Sequence, residues 1–395
     1  MAKKNEKQKL LKKGWVSSFN LIGEAKINDY TYKIDENSTK SDWVYNLFNL
    51  GVDCGKYGTI FAKLMGGYGK DRDNVIYVHG KDDDGKDDFD NKFQIAWEDR
   101  FDENILEDVG DMCFIKIGIE KDKNDKTFTK RFLTPYDAIS YIKEVLEDGM
   151  VINVKGNLKY SPYNNHTNVE KEIKSIYLSK VEDKSKYKAV FTQTMLLDRD
   201  SAEKIDKETG IMPITAKILE YYKDWNGQTV KTFIPLVKTF EYDTNGIEEE
   251  KVNKIINKLF KVKKGVTEIT FEGEFIKSGS VVNTTFDDLP DDIKDLVEIG
   301  AYTEEEALAK CADNSKTYER MVINKPLIKL VGEDKTPVLQ KFDEKYTEDD
   351  LLLDCMINTE NNKSDKNIEV NDTDTVDNID DSDDSDDMAW LNNLE

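Results

Sequence analysis

Flat rings and ammonium groups recur together along this chain, and that pairing is the main chemistry its residues offer. A first set is Lys26, Phe48, Tyr57, Phe61, Lys63 and Tyr68, with Tyr160 and Tyr163 further on. A second set is Lys217, Tyr221, Tyr222, Trp225, Lys231, Phe233 and Lys238. Rings stack on nucleobases at about 1–3 kcal/mol each while lysines sit beside phosphates, and every base has a π-face, so such a site need not read sequence. Any one of these rings can equally serve the core of a β-barrel, so the signal lies in the group and not in its members.

Residues suited to catalysis are sparse. His79 and His166 are the only histidines, too few for a histidine cluster, and His166 reads as a loop residue. Gly66-Gly-Tyr-Gly69 lacks the lysine and helix of a phosphate loop, and no dinucleotide or nucleophile-elbow motif occurs. Asp82-Asp83-Asp84 and Asp87-Asp88 sit on a turn with no ordered frame and read as solvated carboxylates rather than a Mg²⁺ site. Cys54, Cys113, Cys311 and Cys355 are scattered with no CxxC spacing, which argues against structural zinc and fits a reducing compartment. The expectation is a non-enzymatic protein with no cofactor and no metal.

The elements that must carry the rings are mostly strands. Over 19–27, Phe19, Leu21, Gly23, Ala25 and Ile27 alternate with polar residues, the period of a half-buried strand. Further strands are expected over 43–50 and 57–65, the latter with Ile60, Ala62 and Leu64 inward and Tyr57, Phe61 and Lys63 outward. More β-structure is expected over 75–79, 93–98, 113–119 and 127–133. A helix begins at Pro135 and stops at Gly149, with Ile139, Ile142, Val145 and Leu146 at helical spacing. A strand bent at Gly156 follows over 150–160, a polar loop over 161–168, then a strand over 172–179. The second half repeats this order: strands over 188–197, 214–222 and 229–242, a helix over 248–260, a strand over 266–276 bent at Gly273, and a last strand over 320–331.

Three strands, a helix and two strands, with glycine bends, is the order of an OB-fold, a five-stranded Greek-key barrel whose ligand face is its second and third strands. The expected fold is therefore mainly β with a few helices: two tandem OB-fold units and a disordered acidic C-terminal tail. The boundaries are a basic arm over 1–15; a first OB domain over 16–185 with a β insertion at about 70–134; a second over 186–335 with a helical insertion at about 287–315; and the tail over 336–395.

Charge follows the same division. The formal net charge is −23, but 19 Asp and Glu against 3 Lys lie beyond residue 341, so the body is only mildly acidic. The tail ends in Asp383, Asp384, Asp386 and Asp387, followed by the apolar tip Trp390, Leu391 and Leu394. A tethered polyanion competes for a basic groove at high effective concentration, and its displacement by a polynucleotide frees the tip to dock on other proteins. The basic start has no apolar run after it, so no signal peptide is expected, and no segment reaches transmembrane length.

Two OB-like units, a lysine arm and an acidic tail with an apolar tip resemble the single-stranded DNA-binding proteins of replication, most of all those of tailed bacteriophages. Val154-Lys-Gly-Asn-Leu-Lys-Tyr-Ser-Pro-Tyr163 resembles their fourth-strand segment. The chain departs from the bacterial housekeeping protein, which has one OB unit and a tail ending in Pro-Phe; here the end is Asn392-Asn-Leu-Glu395. The resemblance implies a monomer in the cytoplasm, that of the host if phage-encoded. It also implies a role in coating single-stranded DNA during replication, recombination and repair, and in recruiting replication and recombination proteins through the tip. Two other readings stay open: an acidic protein-interaction scaffold whose barrels bind no nucleic acid, and a metal-dependent nuclease using the aspartate turns.

Overall fold

The computed structural model describes residues 7–163, 166–278, 318–332 and 334–353, together with 293, 294, 297 and 303. The first half contains β1 (Ser17–Lys26), β2 (Tyr32–Asn37), β3 (Trp43–Asp53), β4 (Thr59–Gly69), β5 (Val75–Lys81), β6 (Asp87–Ala96), α1 (Glu103–Asp108), β7 (Ile115–Gly118), β8 (Lys130–Phe132), α2 (Pro135–Val145), β9 (Val151–Tyr163) and β10 (His166–Leu178). The second contains β11 (Lys188–Leu197), β12 (Ile211–Trp225), β13 (Gln228–Asp243), α3 (Glu249–Ile255), β14 (Val266–Ser278), β15 (Tyr318–Pro326), β16 (Ile328–Val331), β17 (Thr336–Leu339) and β18 (Lys341–Tyr346).

Each half closes a five-stranded barrel. In the first, β1 pairs with β3, β3 with β4, β4 with β10, β10 with β9, and β9 returns to β1. In the second, the circuit runs β11, β12, β13, β15, β14 and back to β11. In both, the single parallel contact joins the third strand to the fifth, which is OB topology. Alternation fills the interiors: Leu21, Phe48, Leu50, Ile60, Leu64 and Val154 in one barrel, Phe191, Ile218, Phe240, Ile269 and Phe275 in the other. The bottom of the first barrel is plugged by α2. Thr134 caps it by accepting from the Asp137 N–H, Pro135 opens it, and Ala138, Ile139 and Ile142 are buried beneath the sheet.

The two bends fall where alternation and glycine coincide. A Cβ on Gly156 would lie 1.9 Å from the Glu172 carbonyl oxygen and 2.8 Å from the Phe19 ring; one on Gly273 would lie 2.3 Å from the Phe191 ring. Phe19 is register partner of Gly156, and Phe191 of Gly273, so the two phenylalanines are equivalent positions. They are also each other's partners, because β1 and β11 pair antiparallel with Phe19 opposite Phe191. A local two-fold axis therefore passes between them, and the two barrels share one 14-stranded sheet.

Several boundaries differ from the sequence reading. Residues 336–353, assigned to the tail, are folded: β18 pairs with β14, and Tyr346 and Leu351 are buried. Acidic composition hid them, because only a few apolar residues carry the packing. The basic arm is held against this segment from residue 7: the Gln8 N–H donates to Asp350 Oδ1 at 2.6 Å, the Leu11 N–H to the Tyr346 hydroxyl at 3.2 Å, and Leu10 and Trp15 are buried. The strand expected over 320–331 breaks at Pro326, which has no N–H for the ladder; β16 and β17 form a separate hairpin. The insertion after β4 has its own small core of Val78, Ile95, Val109 and Phe114, while β7 joins the main sheet beside β10. Most of the helical insertion expected at about 287–315, and the tail beyond 353, lie outside the described residues.

Candidate nucleic-acid interface

The outward row of β3 and β4 is set by register. Trp43 faces Gly69, Tyr45 faces Gly67, Leu47 faces Met65, Asn49 faces Lys63 and Gly51 faces Phe61. The residues between them, Val44, Phe48, Leu50, Val52, Ile60, Ala62 and Leu64, point inward and are buried. Trp43 and Tyr45 stack on each other, centroids 4.9 Å apart and planes 17° from parallel. Their cross-strand neighbours are glycines, so no β4 side chain crowds those rings. Phe61 ends the row 43% exposed, with Lys277 Nζ 4.5 Å above its ring.

Trp43 and Tyr45 were not among the residues expected from sequence, although parity within 43–52 could have found them. Phe48, Leu50 and Val52 share one face, so Trp43 and Tyr45 must share the other. Phe48 is accordingly corrected to a core residue, 0% exposed and stacked on Tyr32 at 5.0 Å. Tyr160 is also corrected: it is buried, its hydroxyl donates to Gln193 Oε1 at 2.9 Å, and burial pushes its phenol well above the usual range. Tyr57 is buried at the seam between the barrels. Tyr68 is half-buried under the insertion, packed against Trp97 and Tyr136. None of Phe48, Tyr57 and Tyr160 presents a ring face to solvent.

Most of the expected lysines carry their own counter-charge. Lys26 lies 3.4 Å from Glu24 and 3.6 Å from Asp53, Lys63 lies 3.0 Å from Glu170, and Lys217 is paired with Asp198. Lys231 is exposed at a backbone φ of 44°. Lys238 is half-buried and donates to the Thr167 carbonyl at 3.2 Å; burial holds its ammonium below the ordinary lysine range.

On the second barrel, Tyr221 faces Phe233 across the β12–β13 ladder, 39% exposed, with the rings edge to face at 5.6 Å. Lys12 of the arm lies over Phe233 and pairs with Glu220 at 3.1 Å. Tyr222 and Trp225 are half-buried on the hairpin extension, where the Tyr222 hydroxyl donates to the Tyr160 carbonyl at 3.4 Å. Tyr163 stands 59% exposed at the end of β9. The β9–β10 hairpin reaches across to the other barrel, where Thr167 Oγ1 donates to the Val237 carbonyl at 2.6 Å. Asp383, Asp384, Asp386, Asp387, Trp390, Leu391 and Leu394 lie outside the described residues.

One cluster of chemically capable groups sits in the insertion. His79 Nε2 is 2.7 Å from Asp87 Oδ1, and Cys113 Sγ is 3.3 Å from His79 Nδ1. Burial pushes the Cys113 thiol to about 11, so at neutral pH it is a thiol and not a nucleophilic thiolate. Among the described residues no group of three or more His, Cys, Asp and Glu is arranged to hold a metal ion, and no helix is long and apolar enough to cross a membrane.

The model of the YorF family matches residues 99–286, from the insertion through α2, the strands of the seam and β14. No curated protein matches the chain in sequence. Two similar solved structures are of the single-stranded DNA binding protein from Thermus aquaticus. A deletion mutant aligns with TM-score 0.30 and 9% identity over 68% of this chain and 89% of its own. The wild type aligns with TM-score 0.29 and 9% identity over 67% and 86%. The barrel topology described above rests on this chain's own strand pairings.

Proposed function

We propose that this chain binds single-stranded DNA without reading its sequence, along the outer faces of β3–β4 and β12–β13. The observation that carries the reading is the stacked Trp43–Tyr45 pair and exposed Phe61 in one outward row, on the two strands that form an OB barrel's ligand face. Bases stack on such a row in sequence-tolerant fashion. Tyr221 and Phe233 supply the corresponding rings on the second barrel. Lys63 and Lys217 are each balanced by a carboxylate, so the rings and not these ammonium groups carry the reading.

The resemblance to the phage single-stranded DNA-binding proteins supports the finer reading: protection of exposed DNA in replication, recombination and repair, with no catalysis. The acidic segment ending in Asp383–Asp387 competes for the DNA face, and Trp390, Leu391 and Leu394 engage partner proteins. The test is titration with oligo-dT, followed by tryptophan fluorescence at two salt concentrations. Salt-sensitive binding that quenches Trp43 and tightens when residues 371–395 are deleted is expected. Absence of binding at low salt rules the reading out and leaves the protein scaffold; Mg²⁺-dependent loss of the oligonucleotide would make the chain a nuclease.

A further inference from the structure

Three lysines converge on the seam between the barrels, away from the carboxylate-paired lysines of the outer faces. A cavity of about 280 Å³ opens there, lined by Phe61, Asn168, Val169 and Lys171 on one side and Lys238, Glu319 and Met321 on the other. Its walls are β4 and β10 of the first barrel and β13 and β15 of the second, the third and fifth strands of each, so it straddles the local two-fold axis.

Among the described residues that line this cavity, lysines outnumber carboxylates. Lys171 is buried, with Nζ 2.5 Å from Glu319 Oε1 and 4.4 Å from the Phe275 ring. Lys238 donates to a backbone carbonyl, and Lys277 leans over Phe61. Neither has a carboxylate within 4.0 Å among the described residues. Among the described residues of the cavity wall Glu319 is the one carboxylate; it pairs with Lys171 and acts at longer range on Lys238. Burial disfavours the ammonium form of Lys171 and of Lys238; Glu319 offsets part of this at both, and repulsion from Lys277 at Lys171 and from Lys171 at Lys238 adds to it. Cations crowded in a partly desolvated site are costly alone and are stabilised by an arriving anion.

We propose that this inter-barrel cavity is a phosphodiester site. One backbone phosphate of the single strand sits between Lys238 and Lys277, with the adjoining base against the Phe61 ring. The inference rests on the single-strand binding proposed above and assigns that reading its electrostatic anchor. Phe61 belongs both to the outer row and to the cavity wall, so a strand stacked along Trp43 and Tyr45 runs directly into the seam.

The full-length protein tests it, with oligo-dT affinity measured by fluorescence anisotropy across a series of NaCl concentrations. The variants are K238Q, K277Q and the double change, with K258Q, an exposed lysine on the turn after α3, as control for net charge. Each lost phosphate contact should lower the slope of log K against log salt by about 0.7 for a single strand. The double variant loses that one phosphate and should therefore lose about 0.7 of slope and bind at least tenfold more weakly at low salt, while K258Q and K238R keep the wild-type slope. A double variant with a wild-type slope overturns the cavity assignment and leaves the outer-face reading standing. A wild type that ignores oligo-dT overturns both. Thermal melting identifies a variant that has not folded, and K277Q, with the more peripheral side chain, then decides alone.

Discussion

The Tyr57 hydroxyl donates to Glu274 Oε1 at 2.8 Å, and so bolts the turn before β4 in the first barrel to the fourth strand of the second. The ring is buried, and its phenol is raised by burial and by the carboxylate it serves. Tyr57→Phe removes one hydrogen bond whose acceptor can turn to water, so a loss of about 1 kcal/mol in urea unfolding is expected. Oligo-dT affinity should stay within about twofold, since the buried Tyr57 ring stays in place and offers no face to a base.

Trp43 and Phe48 sit five residues apart on opposite faces of β3, and their replacement should separate function from stability. Trp43→Ala and Tyr45→Ala should each weaken oligo-dT binding about thirtyfold, at the middle of the range for one base–ring stack, with melting temperature little changed. Phe48→Ala should cost about 3–5 kcal/mol of stability through the cavity it leaves. Affinity measured on protein that remains folded after Phe48→Ala should equal the wild type.

Lys63 tests whether the outer lysines attract phosphate at all. It is half-exposed and paired with Glu170. Lys63→Gln also frees Glu170, so the salt slope of oligo-dT binding should change by less than the roughly 0.7 of one full contact. Glu170→Gln, which releases Lys63, should steepen that slope instead.

Acid should open the clasp between the arm and residues 341–353. Burial alone would raise the Asp350 carboxyl, but hydrogen bonds from the Thr347 backbone and side chain and the Gln8 N–H outweigh it, and its value lies below the ordinary one. A carboxylate depressed in the folded state contributes stability that is complete above the unfolded value, about 3.9, and is lost as pH falls through the lower folded value. Proteolysis within residues 7–15 should therefore rise only below about pH 4 in the wild type. With Asp350→Ala it should be faster at neutral pH, since the bonds that Asp350 accepts from Gln8 and Thr347 are gone, at about 1 kcal/mol or more.

The barrels were legible because three strands, a helix and two strands occur twice, each time with a glycine where the fourth strand bends. Gly156 and Gly273 proved to be the places where a Cβ meets the opposing strand and a phenylalanine ring. Parity was the weak point. The pattern around Trp43 and Phe48 contains aromatic residues on both faces, and only the run Phe48, Leu50 and Val52, read together, marks which face the barrel closes over. Tyr57 and Tyr160 were misassigned for a related reason: each is a ring with a polar tip, and only the fold shows that Glu274 and Gln193 receive those tips. The cavity at the seam was beyond reach, because it is built from strands more than 60 residues apart whose meeting depends on the β1–β11 ladder.

That ladder fixes more than proximity. A nucleic-acid strand has a chemical direction, 5′ to 3′, and a two-fold axis reverses any direction that crosses it. Two barrels related through Phe19 and Phe191, each accepting its ligand in the same sense, cannot be served by one strand running straight over both. On the binding proposed above, a strand that runs into the seam along one barrel must loop past the other and return toward the seam, so dyes on the two ends of an oligonucleotide long enough to engage both barrels would sit closer than a straight path over both allows.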